Sequence, residues 1–133
     1  MMIKPDGTER QLTGRILARV QEAGFHLLGA RLVRISPGRA REFYAVHEGK
    51  PFLAELVAFM SSGPVFTLAL EKENAVADLR VLVGATDPAE ADCGTIRAVW
   101  GIDKGKNTVH ASDSVENGRH EVAFFFTPEE LVG

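Results

Sequence analysis

Residues 65–70, Val-Phe-Thr-Leu-Ala-Leu, form an almost unbroken apolar run with no helix start signal ahead of it. Such a run reads as a buried strand, covered on both faces rather than alternating between core and water. The flanking segments supply the cover. Pro51 can open a helix whose Phe52, Leu56, Phe59 and Met60 share a face, and Ser61-Ser62-Gly63-Pro64 ends it. Val76, Leu79 and Val83 mark a second helix, closed at Gly84. Upstream, Met1–Lys4 reads as a very short strand stopped by the turn tripeptide Pro5-Asp6-Gly7. Thr13 is the candidate N-cap of a helix carrying Ile16, Leu17, Val20 and Ala23, with Gly24 as its stop. His26–Ile35 reads as a strand and Gly38–Val46 as a short helix. Downstream, residues 85–106 are rich in Gly, Asp, Pro and Thr, an excursion long enough in a compact domain to suggest function. A short strand through Val109 follows, then a helix opened by the Asp113-x-x-Glu116 capping signature and running to Phe124-Phe125-Phe126. Strands and helices in this order suit one layered α+β domain spanning residues 1–133.

Composition narrows the function classes. With 15 Lys and Arg against 18 Asp and Glu, the net charge is −3, so no global basic surface for nucleic acid exists. No apolar run approaches the ~20 residues of a membrane span, and the N-terminus lacks the apolar stretch of a secretory signal. A single cysteine, Cys93, cannot form an intrachain disulfide, which suits a reducing compartment. A cytoplasmic location is the expectation.

The chemistry concentrates in Asn107-Thr108-Val109-His110-Ala111-Ser112-Asp113-Ser114. His110 sits among small polar residues just before a helix start, and Glu121 lies where that helix can aim a carboxylate back at the imidazole. A histidine oriented by a carboxylate is suited to nucleophilic or acid-base catalysis. Ser114 and Glu121 are two helical turns apart on one face, so Ser114 is the expected orienting partner of Glu121, with Ser112 a further donor nearby. If phosphate is the substrate, the chain has no standard phosphate loop. Gly101-Ile102-Asp103-Lys104-Gly105-Lys106-Asn107 has one residue too few between its glycines, no Ser or Thr at its end, and neither the strand nor the long helix of a P-loop. Side chains must then do the cradling. Lys4, Arg80, Thr86 and Arg97 are the candidates, each with the alternative of being a solvated surface group. His26, His47 and His120 read as ordinary histidines, without metal-ligand spacing to cysteines or carboxylates.

Six segments in register resemble nucleoside diphosphate kinases. They are Met1-Met2-Ile3-Lys4-Pro5-Asp6-Gly7, Ser62-Gly63-Pro64, Gly84-Ala85-Thr86-Asp87-Pro88, Gly94-Thr95-Ile96-Arg97, the run around His110, and Pro128-Glu129-Glu130-Leu131. Together they cover nearly the whole chain. The resemblance implies a ferredoxin-like α/β sandwich, a four-stranded antiparallel sheet covered by helices. It implies ping-pong transfer of the γ-phosphoryl group from a nucleoside triphosphate to a nucleoside diphosphate through a phosphohistidine at His110. By the same resemblance Arg80 and Thr86 hold the inner phosphate and Arg97 the transferring one. Lys4 and Asn107 contact the ribose 3′-hydroxyl, Tyr44 sits beside the transferring group, and Phe52 stacks on the base. Stacking accepts any base, which implies broad specificity. Mg²⁺ would arrive bound to the nucleotide, with no dedicated protein cage, and the chain would form a homo-oligomer, tetramer or hexamer.

Three features depart from the common family pattern. Lys104 stands where an apolar residue usually faces the base, Ala111 replaces the usual Gly after the histidine, and few residues precede Ile3-Lys4-Pro5. The last leads to the expectation that the domain leans on subunit contacts or bound nucleotide for stability. The competing expectation is a nucleotide-binding or scaffold protein on the same fold with reduced transfer activity.

Overall fold

A computed structural model describes all residues, 1–133. Four strands, β1 (Met2–Ile3), β2 (His26–Val33), β3 (Val65–Glu71) and β4 (Val109–His110), form one sheet in the order β2-β3-β1-β4. Every neighbouring pair is antiparallel, with Met2 opposite both Thr67 and His110. The expected four-stranded antiparallel sheet covered by helices is the architecture found. Seven helices accompany it: α1 (Pro5–Glu9), α2 (Thr13–Glu22), α3 (Pro37–Phe43), α4 (Leu53–Met60), α5 (Ala75–Val83), α6 (Ile96–Trp100) and α7 (Val115–Phe125).

Side-chain alternation along the strands builds two cores. Ile3, Leu68 and Val109 pack on one face with Ile16 and Val20 of α2, Leu79 and Val83 of α5, and Ile96 of α6. Met2 and Val65 pack on the other with Ala40 and Tyr44 at α3, and with Leu53, Val57 and Met60 of α4. The apolar run at 65–70 is thus covered on both sides, as its composition demands. The two-residue β1 is central and fully buried. Its neighbour β4 lies at the edge of the sheet and pairs with β1 alone.

Local details differ from the sequence expectations for identifiable reasons. Pro5-Asp6-Gly7 does not simply turn but opens α1, with Pro5 at the first helical position, where its fixed φ suits a helix and its missing N–H costs nothing. Thr13 is the first residue of α2 rather than its cap, a place Leu12 takes without a side-chain bond. β2 stops at Val33 because Ser36 caps α3, accepting from the Arg39 N–H, with Pro37 at the first turn. α4 begins at Leu53, so Phe52 occupies the N-cap and faces outward. The buried face of α4 is Leu53, Val57 and Met60. The excursion at 85–106 holds its own short helix, α6, capped by the Thr95 hydroxyl on the Ala98 N–H. The capping residue of α7 is Ser114, which accepts from the Asn117 N–H, not Asp113, whose carboxylate instead accepts from the Asn117 side chain.

Candidate active site

β4 carries His110 to the edge of the sheet, and α7 folds back so that Glu121 meets it. The two are joined by a 2.7 Å hydrogen bond between His110 Nε2 and Glu121 Oε1. Burial holds the His110 imidazole below its ordinary value of 6.5, outweighing the pull of Glu121 in the opposite direction. Glu121 is also half-buried, which works against its charge. The His110 and Ser112 hydrogen bonds win, and its pKa lies below the usual carboxylate value. The pair is therefore a carboxylate and a neutral imidazole at pH 7. Nε2–H donates to Glu121, which leaves the Nδ1 lone pair free. Phe43 packs edge-on to the imidazole at 5.3 Å and Tyr44 at 6.3 Å between ring centres, fixing the plane of the ring.

The expected partner of Glu121 is corrected by the structure. Ser114 is engaged as the cap of α7, and the hydroxyl that donates to Glu121 Oε1 is that of Ser112, at 2.8 Å. Two-turn spacing on a helix face put Ser114 and Glu121 together on paper, but the cap position points the Ser114 side chain at the helix's own free N–H groups. Ala111 is not at positive φ, so nothing there requires glycine.

Cations gather beside the histidine. Lys4 follows β1, and its buried ammonium donates to Asn107 Oδ1 at 2.8 Å. The Asn107 amide donates in turn to the Thr86 carbonyl at 2.9 Å, so residues 4, 86 and 107 are held as one unit. Arg97 reaches from α6 to the Gly84 carbonyl at 3.0 Å and the Val109 carbonyl at 2.8 Å, while its Nε is buried without a partner. Arg80 leans from α5 towards the Ala111 carbonyl at 3.5 Å, the limit of a hydrogen bond. Burial, reinforced by the like charge of Arg80, pushes the Arg97 guanidinium down to about 10. Burial and Arg97 push the Lys4 ammonium down to about 8, against the opposing effect of Asp6. An anion placed among these cations would offset both the burial and the like-charge repulsion that act on Arg97 and Lys4. Thr86, whose carbonyl meets Asn107, is itself exposed.

Tyr44 is buried with its hydroxyl unpartnered, and burial together with Glu121 raises its pKa. Its ring stacks on His47 at 6.2 Å between centres. Phe52 is 47% exposed and lies edge-on to His47 at 5.1 Å, so it is not core packing on α4. Three residues escaped the reading of the sequence. His47, treated as an ordinary loop histidine, sits between Tyr44 and Phe52 with Nδ1 buried and unpartnered. Asp6 and Thr108, both buried, bond each other at 3.3 Å directly behind Lys4 and Asn107. The proximity of Asp6 to Lys4 along the chain was a usable signal, whereas nothing in the spacing marks Thr108. No group of three or more His, Cys, Asp or Glu side chains comes together as a metal cage. Lys104 lies exposed in a loop whose backbone N–H groups at Gly105 and Lys106 are accepted by the Asp103 carboxylate.

A model of the family described as nucleoside diphosphate kinase matches residues 1–131. The chain belongs to the nucleoside diphosphate kinase family. A nucleoside diphosphate kinase of Geobacter sp. strain M21 is 51% identical over 131 residues, spanning 98% of this chain and 96% of that one. The crystal structure of the Aquifex aeolicus nucleoside diphosphate kinase superposes with a TM-score of 0.97 at 45% identity, covering 98% of this chain and 95% of that one. A halophilic nucleoside diphosphate kinase from Halobacterium salinarum, solved in complex with CDP, gives a TM-score of 0.95 at 43% identity, covering 99% of this chain and 88% of that one. These kinases match over nearly their full length, so the chain is a phosphotransferase of this family and the scaffold alternative finds no support.

Proposed function

We propose that the chain moves the γ-phosphoryl group of a nucleoside triphosphate to a nucleoside diphosphate by way of His110 Nδ1. The observation that carries this reading is the engagement of His110 Nε2 by Glu121, which leaves one nitrogen, neutral and unbonded, beside a cluster of cations. In the first half-reaction the Nδ1 lone pair forms a bond to the γ-phosphorus. The bond to the bridging oxygen breaks, and nucleoside diphosphate leaves with that electron pair. The imidazole becomes positively charged, and the Glu121 carboxylate stabilises it without taking the proton. In the second half-reaction a β-phosphate oxygen of another nucleoside diphosphate displaces Nδ1, and neutral His110 returns. Phosphoryl transfer of this kind depends mainly on positioning and charge neutralisation. Arg80, Thr86 and Arg97 hold the phosphates, with Mg²⁺ entering as part of the nucleotide substrate. Lys4 and Asn107 hold the ribose 3′-hydroxyl, Tyr44 flanks the transferring group, and exposed Phe52 offers a face to any base. His47, with Nδ1 buried and unpartnered and its ring between Tyr44 and Phe52, joins the set of binding groups.

A homo-oligomer, tetramer or hexamer, and a cytoplasmic location belong to the same reading. Exposed Leu32 on the edge strand β2 supports assembly, and no helix is long and apolar enough to cross a membrane. The test is incubation with γ-labelled ATP followed by a chase with GDP. The protein should take up the label in the absence of acceptor and release it as labelled GTP. Transfer that proceeds only when both nucleotides are present together would refute the phosphoenzyme.

A further inference from the structure

Thr108 is a β-branched residue at φ 76°, a conformation rarely tolerated by such side chains. The Val109 N–H donates back to the Asn107 carbonyl at 2.9 Å, so Thr108 is the middle of a three-residue turn of the strained, positive-φ hand. The turn joins two halves of the site. Asn107, which meets Lys4, lies on one side, and β4 with His110 lies on the other. Strain of this kind persists only where surrounding structure holds it.

Arg97 and Thr86 hold the two ends of the turn, and the contacts to Thr108 itself come from the segment that begins the chain. The Lys4 N–H donates to the Thr108 carbonyl at 2.8 Å. The Thr108 hydroxyl, on a residue with no solvent exposure, donates to Asp6 Oδ2 at 3.3 Å. Gly7 lets α1 lie against the turn, because a Cβ there would stand 2.7 Å from Ile3 Cγ2 and 3.2 Å from Thr108 Cγ2. Asp6 is itself 6% exposed, and its Oδ1 has no partner. A buried carboxylate so placed is costly unless it does something for its neighbours.

We infer that Asp6 is a positioning residue: through the Thr108 hydroxyl it locks the strained turn that sets Asn107 and Lys4 at the sugar end of the site relative to His110. Asp6 is buried, and its carboxylate is turned to the Thr108 hydroxyl rather than to solvent. It acts by fixing the span between the 3′-hydroxyl contacts and the nucleophile. The inference rests on the proposed role of Lys4 and Asn107 at the ribose. Its signature is therefore discrimination between a nucleotide with a 3′-hydroxyl and its 2′,3′-dideoxy analogue, not overall rate or stability.

The experiment measures phosphoenzyme formation by stopped flow with ATP and with 2′,3′-dideoxy-ATP, for the wild type, Asp6→Asn, Thr108→Val and Asn107→Ala. Thr108→Val keeps the β-branched shape and exchanges the hydroxyl for a methyl group, so it reports even if Asp6→Asn folds poorly. Thr108→Val and Asp6→Asn should each cut the preference for the 3′-hydroxyl by about tenfold, the scale of one hydrogen bond to a charged group. The rate on the dideoxy nucleotide should change far less. A lowered preference in Asn107→Ala alone, with Thr108→Val unchanged, would overturn the lock and leave the sugar site standing. An unchanged preference in Asn107→Ala would overturn the sugar site and the lock with it. Equal losses on both nucleotides would show that Thr108 and Asp6 serve the fold alone.

Discussion

Ser112 and Ser114 flank the same short turn, yet their loss should have opposite consequences. Ser112→Ala deletes a 2.8 Å bond to a carboxylate from a residue only 9% exposed. Hydrogen bonds to charged groups contribute about 1.5–3 kcal/mol. The Glu121 side chain keeps 21% exposure, so water replaces part of that bond and the low end applies. About 1.5 kcal/mol corresponds to a roughly tenfold slower phosphorylation of His110, provided the bond matters most as positive charge develops on the ring. Ser114→Ala removes the cap of an eleven-residue helix. It should cost about 1 kcal/mol of stability, or about 4 °C in Tm for a domain of this size, and leave the phosphorylation rate within a factor of two or so, since ordinary surface changes stay near ±0.5 kcal/mol. Single-turnover labelling with γ-labelled ATP, paired with thermal unfolding of each variant, separates the two effects. A slow Ser114→Ala enzyme beside a normal Ser112→Ala enzyme would refute the assignment of Ser112 as the partner of Glu121.

Other consequences follow from the same geometry. Because burial holds His110 below 6.5, protonation should silence the nucleophile only as the pH falls beneath that value, and the rate should be level through neutrality. Lys4, lowered to about 8, should lose its charge above that pH and give kcat/KM an alkaline decline that disappears in Lys4→Met; a profile flat to pH 10 or so, near the ordinary lysine value, would contradict this. Phe52→Ala should raise KM by about tenfold for all four bases alike, with little change in Tm because the ring is half exposed, and a loss confined to one base would show selective recognition instead. Arg97→Ala should lower kcat by about a hundredfold and also reduce Tm, since its guanidinium ties Gly84 to Val109; normal turnover in a folded variant would remove Arg97 from the site.

Pattern-level features of the fold were legible in the sequence because they depend on local chemistry. The apolar run at 65–70, the Gly24 and Gly84 helix stops and the isolated Val109 strand each became an element close to its expected place. Boundaries set by competition between neighbours were not legible. Ser114 and Asp113 are both good caps, and only the geometry of the turn after β4 decides that Ser114 takes the helix. α6 was hidden because five residues give too short a window for periodicity, although Thr95 is a recognisable cap. For the site, the His110–Glu121 pair followed from spacing, while the cation cluster became convincing only through family resemblance. Lys4 follows β1 while Arg80 and Arg97 lie on α5 and α6, and only the packing of these elements around one core brings the three together. The base-stacking expectation for Phe52 comes from resemblance, and periodicity alone would place it in the core, because exposure is not written in the apolar pattern. Thr108 needed it most, because a strained φ leaves no trace in a residue's name.

The most direct test of the central claim is the position of the phosphoryl group on the trapped protein, read by phosphorus and nitrogen NMR of His110-labelled phosphoenzyme. Glu121 occupies Nε2 in the resting state, so the phosphorus should be bonded to Nδ1 of His110, and His110→Gln should carry no label. A phosphoryl group on Nε2, or label retained in the folded His110→Gln protein, would contradict the mechanism.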